Sequence, residues 1–424
     1  MINAMNKKLY TQIKNEWRSN LWLLAELLVV SVVMWYITDS FYSTLATYCE
    51  PRGFNADHCY LIKMGALSEK NEGYQPYGEG GRTQKQEVLE LLDRIQHRPG
   101  VEAASLSQNS FPYNGSNSGF QVFCDTMRTR GYVVRRLITP DFLRVFQYRG
   151  ANGETPEQLV EVLKENPHNM LLSNNLFQYR YGVEVKDLVG KDIYIGGDTT
   201  QTYRIGAALQ DVRYSDFQQA RFSYCICFTE KVQDWWLDKD AELCVRVRPD
   251  EDHDFINRLL ADAERLYRVG NIYIANVRSF DDIRYHFQKA QTDGLRNNLV
   301  GMAFLLINIF LGLLGTFWFR TQQRRGEIAL HKVHGATNRS VFSRLISEGL
   351  LLLLMVTPLA VGIDILLAHF ELNAWHNGTT LEWPRLALCA AMTSGVIALM
   401  IVVGIWYPAR KAMHVQPAEA LHAE

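Results

Sequence analysis

The chain has 424 residues, of which 47% are hydrophobic and 21% charged, and its formal net charge at pH 7 is −1. This balance lacks the basic excess of a nucleic-acid-binding surface, so no nucleic-acid partner is predicted. The length is sufficient for one large domain, or two modest ones, in addition to membrane segments.

An amphipathic N-terminal segment, residues 1–20, precedes an apolar stretch at 21–38. Three more apolar stretches lie at 295–319, 345–370 and 386–407. Each is long enough, at about 1.5 Å per residue, to cross a hydrocarbon core of roughly 30 Å. A cleaved signal peptide is the alternative for the first stretch, but its long lead-in and the lack of a small-residue cleavage site favour a retained anchor. Four transmembrane helices are therefore predicted.

Residues 39–294 have the composition of a soluble domain, with more acidic than basic side chains. Alternating and β-branched runs predict strands there, and a 3.6-residue period predicts helices. The predicted strands are 60–67, 101–108, 120–125, 132–138, 192–195, 202–212, 243–248 and 272–277. The predicted helices are 83–97, 158–164, 173–179, 252–267 and 279–298.

Two βαβ-like units, 60–125 and 243–278, bracket a section at about 139–230 that is mainly strands. We expect that section to be an inserted, mainly-β subdomain. The predicted helix 279–298 continues into the second apolar stretch without a proline, and residues 39–48 extend the first stretch. Such extensions would form stiff stalks between the membrane and the domain.

Six of the seven cysteines fall in residues 39–294. Cys49 and Cys59 are the most plausible disulfide by separation, provided that the compartment is oxidising. Cys225 and Cys227 alternate along a predicted strand and share one face, which makes them poor partners for each other, and buried free thiols are at least as plausible. No Cys-x-x-Cys pair or His/Cys cluster predicts a metal site.

Lys and Arg are concentrated before the first apolar stretch, in the loop 320–344 and in the tail 408–424, whereas the loop 371–385 has none before Arg385. Short basic loops stay on the cytoplasmic side of a membrane. We therefore expect both termini and the loop 320–344 in the cytoplasm and residues 39–294 outside it. The predicted fold class is an α+β membrane protein with four transmembrane helices and a large extracytoplasmic α+β domain between the first and the second.

The loop 320–344 has helical spacing that places Ala329, Leu330 and Val333 on one face. Gly335 can take the left-handed conformation that ends a helix. A short amphipathic helix along the membrane surface would result, and its simplest role is that of a lipid-contacting linker.

The same loop resembles a signature of a permease family. Residues 324–337, Arg-Arg-Gly-Glu-Ile through Gly-Ala-Thr, are similar to the RRxEIxxxxxxGA(S/T) motif of MacB/FtsX/LolC-type ABC-transporter permeases. Residues 408–421 resemble the family's PARxA…xPxEAL ending. Residues 139–142 and 172–207 resemble parts of its MacB-like periplasmic core domain.

The resemblance implies that the loop contains a coupling helix that docks on a separate cytoplasmic ATPase. The implied contact residues are Arg324, Arg325, Glu327, Ile328, Leu330, Lys332 and Gly335. ATP and Mg²⁺ would bind to that partner, because this chain has no phosphate-binding loop: Gly190-Lys191 lacks the upstream glycine. A second permease subunit, identical or homologous, and a location in a bacterial inner membrane with residues 39–294 in the periplasm are also implied.

No motif for enzymatic chemistry occurs: neither His-Glu-x-x-His nor Gly-x-Ser-x-Gly is present. We predict a non-catalytic chain with no cofactor or metal of its own. The acids Glu26 and Asp364 lie within apolar stretches, each near one end of its stretch. A contact within the helix bundle is the simpler interpretation of both, and proton coupling is the alternative.

The main functional hypothesis is a permease subunit of a MacB/LolC-type complex. It would carry ATP-driven movement to the periplasm for export or extraction of a substrate, with a periplasmic adaptor or a lipoprotein as a further partner. The alternative is an FtsX-like mechanotransmitter or sensor that regulates a periplasmic partner such as a cell-wall hydrolase. A membrane receptor without an ATPase is a third interpretation.

Overall fold

A computed structural model of the chain describes residues 17–77, 82–115, 119–196, 198–220, 224–229, 237–323, 325–372 and 381–413. The chain divides into two compact units, here called the bundle unit (Met1–Ala46 and Asp293–Glu424) and the sheet unit (Thr47–Thr292). Most of the predicted N-terminal segment, residues 373–380 of the short loop and the tail from residue 414 lie outside the described residues.

Helices and strands alternate between the first and second long helices. The described helices are, in chain order, α1 (Trp17–Cys49), α2 (Gln84–Gln96), α3 (Phe142–Val145), α4 (Pro156–Glu165), α5 (Gln178–Tyr181), α6 (Phe255–Leu266), α7 (Phe280–Gln323), α8 (Arg325–Val333), α9 (Asn338–His369) and α10 (Trp383–Met413). The strands are β1 (Cys59–Ala66), β2 (Val101–Gln108), β3 (Phe120–Cys124), β4 (Met127–Gly131), β5 (Val133–Leu137), β6 (Asn169–Ser173), β7 (Asp192–Ile195), β8 (Asp198–Leu209), β9 (Cys225–Phe228), β10 (Glu242–Val247) and β11 (Ile272–Ser279). The predicted α+β class is confirmed.

Four helices, α1, α7, α9 and α10, are long and apolar enough to cross a membrane. Each contains one of the predicted apolar stretches, so the expected layout of one helix, a large domain and three helices is confirmed. α1 and α7 have 33 and 44 residues and exceed their apolar stretches, because polar turns continue each helix without an interrupting proline. Fully buried side chains hold the bundle unit together, among them Leu27, Leu313, Leu352 and Ile401.

The strands of the sheet unit form one sheet in the order β11-β1-β10-β2-β5-β9-β6-β8-β7-β3-β4. At one end, β10 lies antiparallel between β1 and β2, and β1 lies antiparallel between β10 and β11. The connections β1–α2–β2 and β10–α6–β11 therefore each join parallel strands with one strand between them. This is the ferredoxin-like split βαβ arrangement, and it confirms the two predicted βαβ-like units.

The helix α2 shows why the sequence forms this layer. Thr83 and Gln86 make a reciprocal capping box at its start, which satisfies backbone N–H groups that have no partner within the helix. Leu91 and Ile95, one turn apart, are fully buried. They share one core with Leu259 of α6 and with alternate side chains of the four neighbouring strands. The apolar residues whose spacing predicted the helix are thus the ones that it buries.

The section between β2 and β10 continues the same sheet, because β5 pairs with β2 and the remaining strands follow from β5. Two local predictions were wrong there. The predicted helix 173–179 begins at the last residue of β6, and only α5 is helical. β6 is buried along its whole length, so it lacks the alternation that identifies a strand. The short strand β4 was missed because it is mainly polar.

A second core lies on the opposite face of the sheet, since it contains Cys59 and Leu61 of β1 whereas the first contains Tyr60. This core includes Phe146, directly after α3, and Phe280, the first residue of α7. The sheet unit thus encloses the start of α7 within its own hydrophobic core.

Candidate functional site

The C-terminal end of α1 is held by a buried arginine. The guanidinium of Arg213 donates hydrogen bonds to the carbonyl of Thr47, in the last turn of α1, and to the carbonyl of Glu50 at 2.6 Å. The last carbonyls of a helix have no partner within it and carry partial negative charge, so a cation is favourable there. Because Arg213 is only 1% exposed, water does not compete for these contacts.

The first turns of α7 are held by Asp216, which lies three residues after Arg213 in the chain. Asp216 is buried and accepts hydrogen bonds from the guanidinium of Arg284 on α7, at 2.7 Å from Nε. The Tyr113 hydroxyl donates to the other carboxylate oxygen at 3.0 Å, and Nε of Arg52 lies 3.4 Å from that oxygen. Burial alone would raise the pKa of this carboxyl, but the guanidinium groups of Arg284 and Arg52 hold it below its usual value.

Residues 211–216, here called the anchor loop, therefore contact both of these helices. The N–H of Arg213 donates to the carbonyl of Arg52 at 2.9 Å. Gly53 has φ +79°, and a Cβ on it would overlap the carbonyl of Asp211, so a larger residue does not fit. The contact with α7 is a buried ion pair, whose separation would leave uncompensated charge, and the contact with α1 is a set of hydrogen bonds to its last carbonyls.

Aromatic packing fixes the first turns of α7 as well. The ring of Phe280 packs edge-on against Phe146, with centroids 5.0 Å apart. Two turns later, the ring of Phe287 contacts Tyr113 at 5.7 Å and Tyr214 at 5.5 Å. Edge-to-face contacts of this kind stabilise beyond the area they bury. α7 is thus attached to the sheet unit by both charge and packing.

Sequence reasoning did not identify this site. Arg213 and Thr47 are 166 residues apart, and Arg284 and Asp216 are 68 apart. The loop residues have no periodicity, and a charged residue in a loop is usually solvated. The available signal was the proline-free passage at 279–298, which predicted the helix but not its attachment.

In the bundle unit, the stretch predicted as a short helix is α8, and it ends as predicted. Gly335 has φ +89°, a left-handed conformation that favours glycine. Its N–H donates to the carbonyl of Lys332 at 2.9 Å. Arg325 is the first residue of α8, and Arg324 lies outside the described residues.

The side chains that are buried on α8 are not the ones that the sequence predicted to share one face. Ala329 is buried together with Ile328, whereas Leu330 and Val333 are 53% and 59% exposed. Ile328 packs against Val341 near the start of α9. The chain turns back immediately after α8, so contact with α9, rather than apolarity alone, decides which face is buried.

This arrangement corrects one implied contact residue. Ile328 is a packing residue of the bundle unit, because its side chain is only 6% exposed. Glu327 and Gly335 are exposed, and Lys332 is half-buried. Glu327 and Val333 flank Leu330 at three-residue spacing on the exposed side of the helix. We call Glu327, Leu330 and Val333 the docking patch.

Cys49 and Cys59 are not joined in the structure. Cys49, the last residue of α1, is exposed, whereas Cys59 is buried and its thiol lies 3.2 Å from the carbonyl of Val145. Burial raises the pKa of the Cys59 thiol to about 12. Cys225 and Cys227 are buried free thiols with sulfurs 3.8 Å apart. The disulfide considered from the sequence is therefore absent, because its two thiols have different surroundings.

Among the described residues, no group of three or more His, Cys, Asp or Glu side chains is placed to hold a metal ion. Beside the anchor loop, Asp216 pairs with Arg284 and Arg52, and the docking patch has two apolar side chains beside one acid.

Comparison with known proteins bears on the bundle unit. A search of curated proteins found no match. Residues 299–417 match the family described as FtsX-like permease C-terminal. The matched stretch contains the second half of α7 and all of α8, α9 and α10, and therefore the docking patch. Members of such families are in general the non-catalytic transmembrane components of ABC-type systems, in which a cytoplasmic ATPase is the partner. The chain is thus a multi-pass membrane protein whose residues 299–417 are similar to an FtsX-like permease C-terminal domain, which supports its assignment as a membrane component of an ABC-type system.

Proposed function

We propose that the chain is the permease subunit of a MacB/LolC-type ABC complex. It transmits ATP-driven movement from a separate cytoplasmic ATPase to the periplasm, for the export or extraction of a substrate. The observation that carries the proposal is the anchor loop, where Arg213 holds the end of α1 and Asp216 holds the start of α7. A transmission needs attachment at both of its ends, and the permease match supports the membrane end.

Movement begins at the docking patch. ATP and Mg²⁺ bind to the partner ATPase, which contacts Leu330 and Val333 from the cytoplasm. Exposed apolar side chains beside a charged one are typical of protein interfaces with an apolar centre and a polar rim. Ile328 and Ala329, on the buried side of α8, pass the displacement to the bundle because they pack within it.

The two long helices then carry the movement. α7 continues from Phe280 to Gln323 without a proline, a length of about 65 Å at 1.5 Å per residue. α1 continues from Trp17 to Cys49. Both helices reach the same loop of the sheet unit, so a change in one relative to the other acts on residues 211–216. The work is done on whatever the sheet unit binds.

The orientation follows from charge. The loop 320–344 and the N-terminal segment are basic, Arg410 and Lys411 follow the fourth apolar stretch, and short loops rich in Lys and Arg remain in the cytoplasm. The sheet unit and the loop 371–385 then lie in the periplasm of a bacterial inner membrane. A second permease subunit, identical or homologous, supplies a second docking patch for the second ATPase of the pair.

An FtsX-like regulator is the second candidate. The family match names this type of permease, and the anchor loop transmits force whether or not a substrate moves. In that case the sheet unit binds a periplasmic protein such as a cell-wall hydrolase and controls its activity.

Purification of the full chain from membranes in mild detergent, followed by mass spectrometry, tests the proposal. We expect a cytoplasmic ATPase without membrane spans, together with a periplasmic adaptor or a lipoprotein. A hydrolase in place of the adaptor or lipoprotein would favour the regulator. The absence of any nucleotide-hydrolysing partner, under conditions where the chain remains folded, would contradict both candidates.

A further inference from the structure

The proposed transmission leaves one buried acid of the bundle unit without a role. Asp364 on α9 is 3% exposed, and its Oδ1 has no hydrogen-bond partner among the described residues. An unpaired buried carboxylate carries a large desolvation cost, which a bound proton removes. Glu26, another acid within a span, is different, because it accepts a hydrogen bond from Thr316 at 3.1 Å.

A buried ion pair joins α10 to α1 in the same bundle unit. Arg385 of α10 donates to both carboxylate oxygens of Asp39 on α1, each at 2.7 Å, and the two side chains are 10% and 2% exposed. The contact is bidentate: two N–H groups of one guanidinium each bond one carboxylate oxygen. Asp364 is within electrostatic range of Asp39. The three groups carry one excess negative charge when ionised, and a single proton cancels it.

Other buried polar atoms without a hydrogen-bond partner among the described residues lie on the same helices, α1 and α10. Nε1 of Trp35 and Oγ of Ser31 on α1, and Oγ1 of Thr393 on α10, are buried without partners among the described residues. At about 1.5 Å per residue they lie roughly 6 to 12 Å along the helices from the ion pair. Ala368, one turn from Asp364, shares an apolar cluster with Trp35. Asp364 therefore lies at the depth of these polar atoms.

We propose that Asp364 is a proton-binding site of the bundle unit, exchanging its proton through the end that carries the Asp39–Arg385 pair. In the arrangement described, the Asp364 carboxyl holds the proton. Movement of α1 away from α9 and α10 frees Arg385 or admits water, and the proton then passes from the carboxyl oxygen to a water molecule. The titratable and charged side chains at this end of the packed helices include Asp39 and Tyr42 on α1 and Arg385 and Cys389 on α10.

Infrared spectroscopy of the full chain in lipid nanodiscs tests this proposal. The difference between the spectra of wild type and Asp364→Asn at neutral pH should contain the C=O stretch of a protonated carboxyl. Glu26→Gln is the matched control, since it removes a second acid of the same helix bundle and should leave the Asp364 band in place. A difference spectrum without this band, from a folded Asp364→Asn protein, overturns the proposal. So does a wild-type spectrum without the band.

A second variant keeps the test independent of the folding of Asp364→Asn. Asp39→Asn removes a negative charge that is within electrostatic range of Asp364. The pH at which the protonated band disappears should then fall, because a like charge nearby disfavours the ionised form of a carboxyl. An unchanged titration in folded Asp39→Asn protein would show that the groups are not coupled and would overturn the proposal.

Discussion

Replacing Asp216 by Asn is expected to destabilise the sheet unit by about 3 kcal/mol, because the change removes one partner of a buried ion pair. Arg284 and Arg52 are left without a counter-charge, and they are 24% and 28% exposed, so the loss is at the lower end for buried pairs. Thermal unfolding of the full chain, followed by near-ultraviolet circular dichroism, should show a melting temperature of the sheet unit roughly 6–12 °C lower.

The loss depends on pH with a defined sign. Burial opposes ionisation of Asp216, but Arg284 outweighs it and lowers the pKa in the folded state. Such a group stabilises the fold above its unfolded pKa of about 3.9, and the stabilisation is lost as pH falls through the folded pKa. The difference in stability between wild type and Asp216→Asn should therefore shrink below about pH 4.

Asp125→Asn is the matched control for the same chemical change. Asp125 pairs with Lys191 at 2.7 Å but is 59% exposed, and its φ of 51° is one that Asn adopts readily. It should unfold at the wild-type temperature. Asp216→Asn protein should also still bind the ATPase, because the docking patch is intact, while the periplasmic function is lost. Equal destabilisation by both substitutions would contradict the role assigned to the anchor loop.

Replacing Leu330 by Asp is expected to reduce the amount of ATPase that co-purifies with the chain by at least about tenfold, or about 1.4 kcal/mol of binding free energy. The leucine is 53% exposed in the described chain. On docking, the new carboxylate would be buried against the partner without a counter-charge, which is costly. The measurement is the ATPase-to-permease ratio after affinity purification from membranes.

Two variants make this test specific. Leu372→Asp places the same charge on a leucine that is 64% exposed and follows the C-terminal end of α9, away from α8, and should leave the ATPase ratio unchanged. Ile328→Val shortens a buried packing residue. It should cost little stability and should leave the ATPase ratio unchanged. A wild-type ATPase ratio in the Leu330→Asp protein would exclude the docking patch as the contact site.

The sequence predicted well those elements in which buried side chains recur at a regular spacing along the chain. Leu91 and Ile95 of α2 follow the helical period, and the long apolar stretches require little besides their length. β6 is buried on both faces, so its pattern does not distinguish strand from helix. The insertion was expected as a separate subdomain, but pairing between distant strands, which no local pattern encodes, joins it to the same sheet.

The candidate site was less predictable for a related reason. Gly335 could be assigned to a helix end because its role depends on local backbone conformation alone. The burial of Ile328 depends on contact with α9, which follows a turn. Arg213 and Asp216 acquire their roles from partners brought together by the complete fold, and a single sequence contains no record of such pairs.

Hydrogen exchange in the assembled complex is the most direct test of the central claim that the partner ATPase acts on the sheet unit. The backbone amides of the anchor loop, residues 211–216, would be followed with and without a non-hydrolysable ATP analogue. We expect the analogue, bound by the ATPase, to change exchange at these amides in the wild-type complex and to have no such effect on the Leu330→Asp chain. Unchanged exchange at the anchor loop, in a wild-type complex that binds the ATPase and hydrolyses ATP, would contradict the account.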